Sequence, residues 1–223
     1  MYLSAETGNA GVSIQLDFLE SVMDLLAFTP AFIIGITIIG ILLLLISQKA
    51  VVIPKVKIFV ASFVMYYYLC LMMGKIVGIP TFREFIRLRE LGEHFFNPNI
   101  NLIPLIDGLN VSFILNIFLF IPLGFMCPII SPKFEQARNT ISAGFGLSLF
   151  IEISQLFTLY RATDIDDLIT NLIGTVTGYL CFKLAAKLHF VKLHSCMQSK
   201  EKDVTGYIPV FIIVIAVVAN FFS

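Results

Sequence analysis

The chain has 223 residues, of which 58% are hydrophobic and only 13% charged, and its mean hydropathy is +0.92. Soluble domains are nearer half apolar and a quarter charged, so the composition excludes an ordinary water-soluble globule and points to an integral membrane protein. Net charge is +0, which offers no basic field for nucleic acid.

In chain order, six apolar runs approach the roughly 20 residues needed to cross a bilayer. They cover residues 25–46, 58–77, 112–129, 141–159, 168–186 and 207–222. The last is short and begins near Pro209. The expected fold is therefore an all-α, polytopic transmembrane bundle of about six spans. No Lys or Arg precedes Lys49, so the N-terminal segment lacks the basic region of a signal peptide. Trp is absent, leaving Phe and Tyr to supply any interfacial belt.

Basic residues in the connections set orientation. Lys49, Lys55, Lys57, Lys133, Arg138, Lys183, Lys187, Lys192, Lys200 and Lys202 fall on one side. Lys75, Arg83, Arg87, Arg89 and Arg161 fall on the other. The richer side is expected to be cytoplasmic, with both termini and the 78–111 and 160–167 loops outside. In the 78–111 loop, residues 82–96 set Phe82, Phe85, Ile86 and Phe95 against Arg83, Arg87, Glu90 and His94. That spacing predicts an amphipathic helix in the outer interface, with those four polar residues able to share a face. Pro98 and Pro104 then break any continuous helix. Cys70, Cys127, Cys181 and Cys196 form no C-x-x-C pair and read as small packing residues, not a disulfide or zinc site. His94 reads as an interfacial residue, and His189 and His194 as part of the basic inner loop.

Polar residues interrupt the apolar runs at a few places. Asn116 lies about one turn inside the third span, and Gln155 and Glu152 about one and two turns below the exit of the fourth. Their i, i+3 spacing gives Glu152 and Gln155 one helix face. Asn171 lies about one turn inside the fifth span, beneath a loop carrying Arg161, Asp164, Asp166 and Asp167. These eight residues are the candidate lining of a hydrated pocket under the outer leaflet. Plainer roles compete: interhelical hydrogen bonding for Asn116, Gln155 and Asn171, and capping of the fifth helix by Asp164, with Asp166 and Asp167 at its positive end. Capping leaves Glu152 unexplained, and an intramembrane acid ordinarily has a task. Pro122 predicts a kink, and Gly124, Gly144, Gly146 and Gly174-x-x-x-Gly178 predict close helix packing. The D-I-D-D run lacks calcium-loop spacing, so no metal and no cofactor is expected.

At these residues the chain resembles the VanZ-like family of bacterial membrane proteins. The resemblance rests on NLIP at 101–104, NIFLFIPLGF at 116–125, SLFIEISQL at 148–156 and RATDIDDLITNLIG at 161–174. It divides the chain into residues 1–54 with the first span, a VanZ-like domain over 55–185, and a basic loop with a final span over 186–223. The resemblance implies a multi-pass protein of the bacterial cell membrane with a cell-envelope role. The family is named for a protein linked to low-level resistance to teicoplanin, a lipid-bearing glycopeptide. Where the family often has N-T-x-G, this chain has Asn171-Leu172-Ile173-Gly174, without the hydroxyl.

The expected function is engagement of an amphiphile, such as an envelope lipid or lipoglycopeptide, through the outer pocket. Arg83, Arg87 and Asn101 are candidate head-group contacts. On this reading the protein is not an enzyme, and its partners are the bilayer and that ligand. A membrane enzyme modifying an envelope lipid, with Glu152 or the aspartates as general base, is the alternative. A proton-coupled transporter ranks behind both, because only one span is interrupted by proline.

Overall fold

The computed structural model describes residues 29–49, 55–94, 96, 100–101, 103–104, 111–158, 163–190 and 206–223. It is helical apart from one two-residue strand pair. Helix α1 (Pro30–Lys49) opens with a proline, whose missing N–H costs nothing in a first turn. The Thr29 hydroxyl accepts the Phe32 N–H there at 3.2 Å. Helix α2 (Lys55–Leu71) runs on into a π-helical turn, Met72–Val77. Gly78 stops that turn at φ 67°, with its N–H on the Met73 carbonyl. Helix α1 returns along α2, with Phe32 stacked on Tyr66 at 5.2 Å and the Tyr66 hydroxyl donating to the Phe32 carbonyl.

The interfacial helix is present as α3 (Phe82–Leu91). Thr81 caps it by accepting the Glu84 N–H, and Arg83, Arg87, Arg89 and Glu90 are exposed. It buries Leu88, and Phe82 and Phe85 meet Phe221 at 6.1 Å. The expectation of a helix through residue 96 is corrected. Gly92 adopts φ 71° and its N–H closes on the Arg89 and Leu88 carbonyls, which ends the helix at Leu91. His94 therefore does not continue the face of Arg83, Arg87 and Glu90. Strand β1 (Ile100–Asn101) pairs in parallel with β2 (Thr163–Asp164), Ile100 opposite Thr163 and Asn101 opposite Asp164.

Helices α4 (Val111–Ile130), α5 (Ala137–Gln155) and α6 (Ile165–Lys187) form the central unit. Pro122 and Pro128 both sit inside α4. Between α4 and α5, a 3-10 turn (Pro132–Glu135) is tied down by the Asn139 carboxamide on the Lys133 carbonyl and the Thr140 hydroxyl on the Phe134 carbonyl, both at 2.6 Å. Helices α4 and α6 run parallel and nearly touch. A Cβ at Gly174 would fall 2.2 Å from the Ile117 oxygen, one at Gly178 2.0 Å from the Ile121 oxygen, and one at Gly124 2.0 Å from the Thr175 oxygen. Only glycine permits this approach, which brings Cα–H groups onto carbonyls. Helix α5 returns antiparallel against this pair, with Gly144 making room for Thr175 of α6.

Helix α7 (Ile208–Phe221) lies against α1 and α2. Its start is fixed by the Ser131 hydroxyl on the Gly206 carbonyl, at the far end of α4. Four helical segments are long and apolar enough to cross a membrane: Pro30–Gln48, Val56–Leu91, Val111–Ile130 and Ile165–Lys187. The second takes in α2, the π turn and α3. Of the six runs expected from sequence, the remaining two are helical but different in kind. Helix α5 has 19 residues with Arg138, Glu152 and Gln155 among them. Helix α7 is apolar but has 14 residues, about 21 Å against a hydrocarbon core of about 30 Å.

The interior holds Ile39, Met65, Tyr66, Leu69, Phe120, Leu123, Ile151 and Ile212. Outward faces stay apolar as well: Ile34, Leu44, Leu45, Phe118, Leu180, Val214 and Val218 are all exposed. A helix apolar on every side suits a lipid surround. Cys70 and Cys127 are buried and free, whereas Cys181 is exposed. His194 and Cys196 lie outside the described residues.

Candidate functional site

The parallel register of α4 and α6, with α5 returning antiparallel against them, brings the start of α4, the end of α5 and the start of α6 to one end of the bundle. The polar residues of the three helices meet there. The Asn116 carboxamide donates to Asp167 Oδ1 at 2.5 Å, joining α4 to the first turn of α6. A neutral donor on a carboxylate makes a stronger bond than two neutral groups. Asp164 caps α6, its Oδ1 accepting the Asp166 N–H at 2.9 Å. Its other carboxylate oxygen accepts from the Asn101 carboxamide at 3.3 Å. The strand pair thus delivers Asn101 to the helix cap.

Glu152 enters from α5. Its Oε2 accepts the Asp164 N–H at 3.0 Å, and its own carbonyl accepts the Thr163 hydroxyl at 2.8 Å. Only 4% of Glu152 is exposed. Its carboxylate sits at the positive end of the α6 dipole, within electrostatic range of Asp164 and Asp167. Asn171, also 4% exposed, donates to the Ser148 hydroxyl at 3.0 Å. Among the described residues at this end, two buried acceptors have no hydrogen-bond partner: Gln155 Oε1 and Asn171 Oδ1. Buried carbonyl oxygens of this kind are ordinarily satisfied by protein or ordered water.

Of the eight residues expected to line a pocket, Asn116, Glu152, Asp164, Asp167 and Asn171 are drawn together on these contacts, with Gln155 one turn further along α5. Asp166 lies in the first turn of α6 and lends its carbonyl to Thr170. Arg161 lies outside the described residues. Arg83 and Arg87 are exposed on α3. Ser148 and Thr163 were missed. Ser148 could have been found, since Ser148, Glu152 and Gln155 recur at i, i+4 and i+7 on one face. Thr163 could not, because its role depends on the strand pair. Among the described residues, no group of three or more His, Cys, Asp or Glu is placed to hold a metal ion.

The VanZ/LLP1 family profile matches residues 63–186, more than half of the chain. The chain belongs to the VanZ/LLP1 family. Comparison with curated proteins and with solved structures finds no match. The VanZ/LLP1 match takes in the end of α2, the interfacial helix and the whole α4–α6 unit. Every residue of the polar cluster falls inside it. Helices α1 and α7 fall outside it. In this VanZ/LLP1 membrane protein, acceptors gather at this end: the hydrogen-bonded carboxylates of Glu152, Asp164 and Asp167, and the buried Gln155 and Asn171 side-chain oxygens. Such a set takes hydroxyl, ammonium or guanidinium donors.

Proposed function

We propose that this protein engages an amphiphile at the outer face of a bacterial cell membrane, and through it alters glycopeptide susceptibility. The observation that carries the reading is the meeting of Asn116, Glu152, Asp164, Asp167 and Asn171 at one end, beside the unpartnered Gln155 and Asn171 oxygens. A head group bearing hydroxyl or amine donors fits those acceptors, and Arg83 and Arg87 on α3 supply charge for a phosphate or carboxylate. An apolar groove of about 360 Å³ supports a place for the tail. It runs under α3 between α5 and α7, past Phe85, Phe150, Ile153, Phe157 and Phe221. In this reading the chain crosses the membrane six times, with α5 as a polar span shielded by its neighbours, and both termini lie outside.

The test uses Glu152→Gln and Asp167→Asn in a host where the wild-type gene raises teicoplanin resistance. Membrane insertion is verified first. Loss of the resistance in both variants is expected; unchanged susceptibility would remove the reading.

The nearness of Glu152, Asp164 and Asp167 favours a second reading, a membrane enzyme in which one carboxylate acts as general base on an envelope lipid. Deletion should then change the cellular lipid profile. An unchanged profile would reject it.

A further inference from the structure

A recess at the same end of the bundle is built by other helices. Its residues come from the start of α1, the π turn after α2 and the end of α7. Thr29, Cys70, Gly74, Lys75, Asn220 and Ser223 line a cavity of about 220 Å³. The π turn, with one more residue per turn than α-helix, presents Gly74 and Lys75 to it. Gly74 matters sterically, because a Cβ there would meet Asn220 Oδ1 at 2.5 Å. Asn220 is 6% exposed, with its Nδ2 on the Ala216 carbonyl and its own carbonyl accepting the Ser223 hydroxyl. Lys75 is exposed, and no acidic residue is among the described residues that line the cavity. Among the described residues, the recess therefore has a cation and hydroxyl groups and no charge of the opposite sign.

Ala219 also lines an adjoining apolar groove of about 300 Å³. That groove descends between α1 and α7 past Ile34, Ile38, Val214 and Val218, all of them exposed. Gly35 closes its floor, where Tyr66 leaves no room for a side chain. A polar, cationic head cavity thus opens into an apolar channel along the membrane-facing surface.

We propose that this recess is a binding site for an anionic phospholipid, with the phosphate on Lys75 and the Asn220–Ser223 end of α7, and one acyl chain between α1 and α7. The charge at the mouth selects the head group, and the groove continues from it in the direction a lipid chain would take. Both helices flanking the groove lie outside the family-matched residues, whereas Lys75 and the π turn lie inside them, and the site shares no lining residue with the acidic cluster.

The test is native mass spectrometry of the purified full chain released from mixed micelles of phosphatidylglycerol and phosphatidylcholine. Wild type should retain phosphatidylglycerol about fivefold over phosphatidylcholine, the scale expected of one lysine at a charged surface. Lys75→Gln should bring the ratio near parity, and Arg89→Gln, exposed on the interfacial helix, should leave it unchanged. Val214→Trp, which fills the groove from its exposed side, should lower retention of both lipids. Glycerol 3-phosphate in excess should not displace the lipid. No preference in wild type, a preference that survives Lys75→Gln, unchanged retention in Val214→Trp, or displacement by glycerol 3-phosphate would each overturn the proposal.

Discussion

Substituting Gly174→Ala tests whether the α4–α6 contact holds the polar cluster together. The added Cβ would stand 2.2 Å from the Ile117 oxygen, 1.2 Å short of the 3.4 Å at which ordinary contact begins. The obstacle is backbone, so no side chain can swing aside and the helices must part. Asn116, the residue before Ile117, now bonds Asp167 at 2.5 Å. A separation of the same size takes that bond to about 3.7 Å, past hydrogen-bonding range. Overpacking costs roughly 1–3 kcal/mol, and an interhelical polar bond in a membrane protein adds roughly 0.6 kcal/mol. A loss of about 2–4 kcal/mol is expected from the two together. Gly146→Ala is the control, since nothing lies within 4 Å of a Cβ there. It should be neutral, or stabilising by up to about 1 kcal/mol from helix propensity. Unfolding of the purified chain in mixed micelles, titrated with dodecyl sulfate, reads both. If Gly174→Ala proves as stable as Gly146→Ala, the glycine contact does not set the helix spacing and the reasoning fails.

Three further outcomes follow from single contacts. Ser148→Ala leaves the Asn171 carboxamide nitrogen without its acceptor; a cost of about 1–3 kcal/mol is expected in the same titration, and a neutral result would mean water replaces the hydroxyl. Thr81→Ala removes the cap of α3; it should cost about 1 kcal/mol of local stability, read as faster amide exchange confined to residues 82–91. Tyr66→Phe deletes the bond to the Phe32 carbonyl while keeping the ring stack; a loss of about 1 kcal/mol is expected, and a larger one would point to rearrangement of the α1–α2 contact.

Helix positions were readable because burial in lipid demands long apolar runs, and each of the six expected runs coincides with a helix to within a few residues. What hydropathy could not separate was kind: α5 and α7 look like spans by pattern but differ from the other four in polarity or length. The end of the interfacial helix was misread because its amphipathic spacing continues past Gly92, while the backbone at Gly92 turns left-handed. Local propensity defeated periodicity there. The meeting of these residues was legible from position along the spans alone, since Asn116, Glu152 and Asn171 each lie one or two turns from the helix end at this side of the bundle. Its wiring was not. The Asn101–Asp164 and Glu152–Asp164 contacts depend on a parallel pairing of two-residue strands more than 60 positions apart, and no local pattern in NPNINLIP or RATD announces it.

Capping and binding make different demands on the same acids, and Glu152 is where they separate. Asp164 is fully occupied by structure: one carboxylate oxygen holds the Asp166 N–H and the other the Asn101 carboxamide. Its loss would damage the start of α6 whatever the protein does. Glu152 has one oxygen on the Asp164 N–H, and a glutamine carbonyl can accept that same bond. Glu152→Gln therefore keeps the fastening of α5 to α6 and removes only the charge. If the acid serves packing alone, the glutamine variant should fold and act as wild type. If the charge meets a ligand's donors, the variant should fold and fail. That contrast makes Glu152→Gln more informative than any alanine substitution at this end of the bundle, where loss of fold and loss of function would arrive together.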